Sequence, residues 1–191
     1  MPRVSQEHRD ARRTQILDAA RELFADRGFA RTSMNDIVEA SGLSIGAIYR
    51  YFKSKDDIVV GVCEQGRQAL PKAMTAEALD AFFEDVRTRS LTTGHARLIA
   101  QIYAEASLSP ALATVVVEQL ASLREAVADL LPGHPGRDGI AEVFVALSSG
   151  YVQQLAVRGD VDFQPFSDAV LALVAAEPTA RGPKRRSSST G

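Results

Sequence analysis

A chain of 191 residues, 46% of them hydrophobic, is long enough to bury a core without staples. Its one cysteine, Cys63, excludes an internal disulfide, and one thiol with His8, His95 and His134 scattered singly lacks metal-ligand spacing, so neither metal nor cofactor is expected. The 22 basic and 24 acidic side chains divide unevenly, net +3 over residues 1–55, −9 over 56–177 and +4 over 178–191, as if one end meets a polyanion, although charges that merely solvate helix faces explain any single cluster as well.

The first residues, Met1 to Thr14, are polar and charged with no apolar export core. No stretch is expected to reach the roughly 18 apolar residues that cross a bilayer. A soluble protein of the reducing cytoplasm with no membrane partner is therefore expected. Apolar residues recur at helical spacing almost throughout, so the expected fold is all-α with about nine helices.

Ile16, Leu17, Ala20, Leu23 and Phe24 stripe a first helix, which Gly28 ends as a left-handed cap. Ser33 and Asp36 have capping-box spacing at the start of a second helix carrying Ile37, Val38 and Ala40. Ser41-Gly42-Leu43 reads as a tight turn, and Ser44 caps a third helix through Tyr49. Ser54 opens a fourth with Ile58, Val59 and Val62, running until Pro71. Thr75 caps a helix holding Leu79, Phe82, Phe83 and Val86; Gly94 precedes another with Leu98, Ile99, Ile102 and Tyr103. Ser109-Pro110 begins a long helix to Leu131, broken by Pro132 to Gly136, and two more follow, Asp138 to about Arg158 and about Pro165 to Ala176. The expected layout is a flexible basic arm over 1–8, a helix-turn-helix domain over 9–55, a helical domain over 56–177, to which the resemblance named below gives effector binding and dimerisation, and a disordered basic tail over 178–191.

Two short helices about a tight turn allow the second to stand clear and enter a major groove. Arg31, Thr32 and Ser33 sit where free backbone N–H groups attract phosphate, and Tyr49, Arg50, Tyr51, Lys53 and Lys55 mix hydroxyls with cations as phosphate anchoring requires. Ile37, Val38, Leu43, Ile48 and Phe52 are spaced to face inward as core. The arginines Arg3, Arg9, Arg12 and Arg13 form either a DNA-reaching arm or a solvated start, and Lys184-Arg185-Arg186 is read as a solvated end.

Gly28-Phe29, Thr32-Ser33, Asp36-Ile37, Ala40-Ser41-Gly42-Leu43-Ser44, Gly46, Ile48-Tyr49-Arg50-Tyr51-Phe52 and Ser54-Lys55 together resemble the signature of TetR/AcrR-type transcriptional regulators over about residues 9–58. The resemblance implies a homodimeric, nine-helix repressor whose partner is double-stranded operator DNA, released when an unknown small molecule binds the C-terminal domain. It places Ser44, Ile45, Gly46 and Ala47 at the groove-facing start of the recognition helix, with Tyr49, Arg50 and Tyr51 following, and gives Lys55 the role of a phosphate-binding lysine. Ile45 and Ala47 offer apolar contact to thymine methyls and no hydrogen bond to base edges, a departure from relatives that are polar there. Direct readout is then expected from Arg50, Ser44 and DNA shape.

In the effector half, Cys63, Phe82, Phe83, Tyr103 and Tyr151 are the candidate ligand contacts, the two tyrosines first because a buried phenol needs a partner. His95, just after a glycine, reads as a ligand contact, a pH-sensitive group or a surface residue, the last being the favoured reading. Val143, Leu147, Gly150, Leu171, Leu173 and Val174 belong to two helices with more small and apolar surface than one inner face needs, which fits a two-fold seam of four helices. No nucleophile with its base, paired carboxylates or phosphate loop marks an enzyme. The alternative is a helical adaptor for another protein, with the helix-turn-helix vestigial.

Overall fold

Side-chain caps and left-handed glycines decide where the chain starts and stops its helices. The computed structural model describes residues 6–65 and 70–176, and among these it contains nine helices and no strand. They are α1 (Gln6–Arg27), α2 (Met34–Ser41), α3 (Ile45–Ile48), α4 (Lys55–Gln65), α5 (Ala76–Thr93), α6 (His95–Ala106), α7 (Pro110–Asp129), α8 (Arg137–Arg158) and α9 (Gln164–Ala175). Ser33, Ser44, Thr75 and Ser109 each accept a backbone N–H from three residues on, supplying one of the partners that a helix N-terminus lacks. Gly28 leaves α1 with φ +87° and Gly94 leaves α5 with φ +68°, conformations that side chains with a Cβ resist.

Three expectations shift. α1 begins at Gln6, so residues 6–8 of the expected arm are helical, while residues 1–5, Arg3 included, lie outside the described residues. The stretch of α4 expected to run on toward Pro71 falls on residues 66–69, which are outside them too, as are the expected tail and Lys184-Arg185-Arg186. The third concerns α8: contrary to expectation, it is long and apolar enough over 18 residues to cross a bilayer by length and composition. One side of α8 explains that apolarity, because Ile140, Ala141, Phe144, Tyr151, Val152 and Leu155 are buried in the core.

The core forms two clusters. The lower one joins Ile16, Leu17 and Phe24 of α1 to Ile37, Ile48, Phe52 and the Ile58, Val59, Val62 and Cys63 face of α4, and extends to Leu98 and Ile102 of α6 and Leu112 and Val116 of α7. The expected boundary at 55/56 is thus no break in packing, since α4 fills the same core as α1. Gly61 permits that closeness, as a Cβ there would stand 2.8 Å from Leu17 Cδ2 and 3.1 Å from Phe52 Cε1. The upper cluster gathers Leu79, Phe82, Phe83 and Val86 of α5, Val127 of α7, Phe144 and Tyr151 of α8 and Val170 of α9. Its rings interlock, Phe83 standing at 88° to Tyr151 with centroids 5.4 Å apart and Phe166 lying 4.8 Å from Tyr151.

Candidate nucleic-acid interface

Gly42, at φ +67°, reverses the chain between α2 and α3, and Gln15 of α1 donates to the Ser41 carbonyl at 2.7 Å, fastening the turn to the first helix. Ahead of α2, Ser33 and Asp36 complete a capping box: Ser33 Oγ accepts the Asp36 N–H, and the Asp36 carboxylate accepts the Ser33 N–H at 2.7 Å. The hydroxyl and amide of Ser33, with Arg27 adding its charge, hold the Asp36 carboxyl below its usual range. α3 is a single turn, Ile45–Ile48. It ends before the expected Tyr49 because the chain tightens, with Arg50 N–H reaching Ala47 O and Tyr51 N–H reaching Ile48 O. Ile48 is wholly buried and anchors that turn, so the opposite side faces out.

Around this turn Arg31, Ser33, Ser44, Ile45, Gly46, Tyr49, Arg50 and Lys53 are exposed, and Ala47 and Tyr51 are half-buried, Tyr51 against the lower core. Thr32 differs from the expectation that it lies open to phosphate: it is 1% exposed and its hydroxyl donates to the Gly28 carbonyl at 2.9 Å, closing the bend between α1 and α2. Lys55 is half-buried, and its ammonium donates to the carbonyls of Phe29 (2.8 Å) and Thr32 (3.0 Å) while standing 4.0 Å from the Phe29 ring centroid. Two of its three N–H groups are therefore spent inside the chain, and one remains. Arg9, Arg12 and Arg13 belong to α1 instead of a free arm: Arg9 donates to Gln6, Arg12 to Gln15, and Arg13 pairs with Glu64 at 3.0 Å over the Phe52 ring.

Sequence reasoning missed Gln101. Its Oε1 accepts the Phe29 N–H at 3.0 Å, so α6 holds the peptide group ahead of Phe29 and Lys55 the one after it. No local pattern in α6 marks a glutamine whose partner lies 72 residues away.

The candidate ligand residues separate into two groups. Cys63 and Tyr103 belong to the lower cluster, where burial pushes the Cys63 thiol up to about 11. Phe82, Phe83 and Tyr151 belong to the upper one. Tyr151 already has the partner that its phenol needs, donating to the Val161 carbonyl at 3.0 Å, and burial pushes its pKa up to about 12. The part-open crevice where α1, α4 and α6 meet, between Phe29 and Gln101, measures about 10 Å³, the size of one water. His95 is not the expected surface residue but is largely covered, and burial, then Arg89 and Arg21, push its pKa down to about 4 against the pull of Asp85.

Of the expected seam, Val143 (39%) and Leu173 (36%) are exposed, and Leu147, Gly150, Leu171 and Val174 are half-buried. A Cβ at Gly150 would meet nothing within 4 Å, so this face of α8 is open. The Gly136 N–H donates to His134 Nδ1, which leaves the proton on Nε2 to reach the Val174 carbonyl at 3.1 Å and tie the loop before α8 to α9.

Comparison with known proteins places this geometry. Residues 16–62 match the family described as bacterial regulatory proteins, tetR family. The chain is 34% identical over 86 residues to the HTH-type transcriptional repressor Rv1474c of Mycobacterium tuberculosis, a stretch covering 45% of this chain and 46% of that one. It spans about a third to a half of the length of such curated relatives. The fold is that of Salmonella enterica GusR, with a TM-score of 0.69 at 20% identity, covering 91% of this chain and 97% of that one. It is also that of the multidrug binding protein EbrR complexed with malachite green, with a TM-score of 0.66 at 20% identity, covering 85% and 96%. The segment from α1 to α4 thus matches the bacterial regulatory proteins of the tetR family over residues 16–62, and the described helices as a whole share the fold of these solved structures.

Proposed function

We propose that this regulator binds a pseudo-palindromic operator as a homodimer, represses from it, and leaves it when a small molecule binds the helical C-terminal part. The observation that carries the reading is the exposed ring of Arg31, Ser33, Ser44, Tyr49, Arg50 and Lys53 about a single helical turn anchored by Ile48. Hydroxyls and cations of this kind hold phosphates, while the turn itself is free to meet base edges. Lys55 joins them through its remaining N–H. The open face of α8 and α9, with Val143, Gly150 and Leu173 outward, supports dimerisation, because two copies covering it would set two recognition turns about one DNA turn apart. That EbrR is named as a multidrug binding protein supports an effector held among helices of this fold. In this chain Phe82, Phe83 and Tyr151 are closed on one another, so an effector would have to part α5 from α8 to reach them.

Selection of bound duplexes from random DNA with the full chain tests the reading. An enriched palindromic motif, whose affinity falls linearly with log salt, is expected. Failure to enrich any duplex at low salt would return the adaptor alternative.

A further inference from the structure

The first turn of α3 is poor in groups that can hydrogen-bond base edges. Ser44 already uses its hydroxyl oxygen as a cap, accepting the Ala47 N–H at 3.3 Å. Gly46 has no side chain, and Ala47 carries only a methyl group. The turn presents apolar surface instead. Ile45 stays 49% exposed although Ile48, in the same turn, is wholly buried, and Tyr49, four residues on and so on the same side, is 49% exposed as well. Space beside Ile45 is open, because a Cβ at Gly46 would meet nothing within 4 Å.

A branched apolar side chain left in water on a surface that otherwise carries hydroxyls and cations has one complementary partner on the floor of a major groove. That partner is the C5-methyl of thymine, the one apolar group among the base edges there. Resting on the DNA-binding reading of this face, we infer that Ile45 reads the C5-methyl of one thymine in each half-site by apolar contact, with Gly46 giving the backbone room to come close. Specificity at this base pair is then for a methyl group in the groove and not for a pattern of donors and acceptors. A cytosine methylated at C5 satisfies the same contact although its exocyclic group is a donor where thymine has an acceptor.

The test starts from the duplex enriched by the full-length protein. Each thymine is replaced in turn by deoxyuridine, which removes the methyl alone, and each T·A pair by C·G or by 5-methylcytosine·G. At one thymine per half-site, loss of the methyl should weaken binding about fourfold, and about fifteenfold when made in both half-sites. At that position 5-methylcytosine should bind better than cytosine. Ile45→Ala should weaken binding to the intact duplex and then be indifferent to deoxyuridine there, while Ile45→Val keeps the preference. Melting temperatures of both variants should match wild type, because Ile45 lies outside the core. A motif with no methyl-sensitive thymine, or an Ile45→Ala protein as sensitive as wild type, would overturn the inference and leave DNA binding standing. No enriched duplex would overturn both.

Discussion

Lys55 separates a structural role from an electrostatic one. Lys55→Met keeps the apolar stem but removes the ammonium that bridges the carbonyls of Phe29 and Thr32 and faces the Phe29 ring. A hydrogen bond to a charged group contributes about 1.5–3 kcal/mol, and the low end applies here because the group is half-buried and water can reach the freed carbonyls. Two such bonds, with about 0.5 kcal/mol from the ring, give a loss of about 3.5 kcal/mol. For a chain of this size that lowers the melting temperature by about 7–14 °C. Urea unfolding followed by circular dichroism measures the loss, and Lys53→Ala is the control, since Lys53 is exposed and its side chain makes no hydrogen bond among the described residues. On operator DNA, Lys53→Ala should reduce the slope of log affinity against log salt by about one with stability unchanged. A Lys55→Met protein as stable as wild type would refute the clamp.

Gly61→Ala sets a helix-propensity gain of about 1 kcal/mol against overpacking of about 1–3 kcal/mol on Leu17 and Phe52, both buried, so a net loss near 1 kcal/mol is expected by urea unfolding. A variant more stable than wild type would show that α1 and α4 can separate freely. Tyr151→Phe strands the buried Val161 carbonyl and should cost about 1–2 kcal/mol in the same assay; no change would mean that the hydrogen bond contributes nothing. His95 sets a pH dependence. Its folded pKa of about 4 lies below the ordinary 6.5, so as pH falls through 6.5 the unfolded chain takes up a proton that the folded chain refuses, and stability declines toward pH 4. Between pH 7 and pH 5 wild type should lose about 2 kcal/mol more than His95→Gln, and parallel profiles for the two proteins would refute the burial of a neutral imidazole.

What was legible in the sequence follows from the range of the interactions that decide it. Helix starts at Ser33, Ser44, Thr75 and Ser109, and the end at Gly28, depend on bonds spanning three or four residues, so a local reading finds them and places α2, α5 and α7 nearly to the residue. The inward set, Ile37, Val38, Leu43, Ile48 and Phe52, packs into or against the lower core for the same reason, because a period of 3.6 fixes which side of a short helix is apolar. Roles decided by distant partners were hidden. Thr32 and Lys55 carry the same chemistry whether they face a phosphate or a carbonyl, and only the fold shows the carbonyls of Gly28, Phe29 and Thr32 waiting for them. The burial of His95 needs α1 and α5 to bring Arg21 and Arg89 beside it, which no spacing within α6 reveals. Tyr151 illustrates the converse error: an isolated phenol on an apolar helix asks for a partner, and a backbone carbonyl ten residues ahead supplies it before any ligand need do so. The two peptide groups of Phe29 carry this furthest. Its N–H is taken by Gln101 on α6 and its carbonyl by Lys55 on α4, so the bend that delivers Ser33 to the start of α2 is held by both halves of the chain.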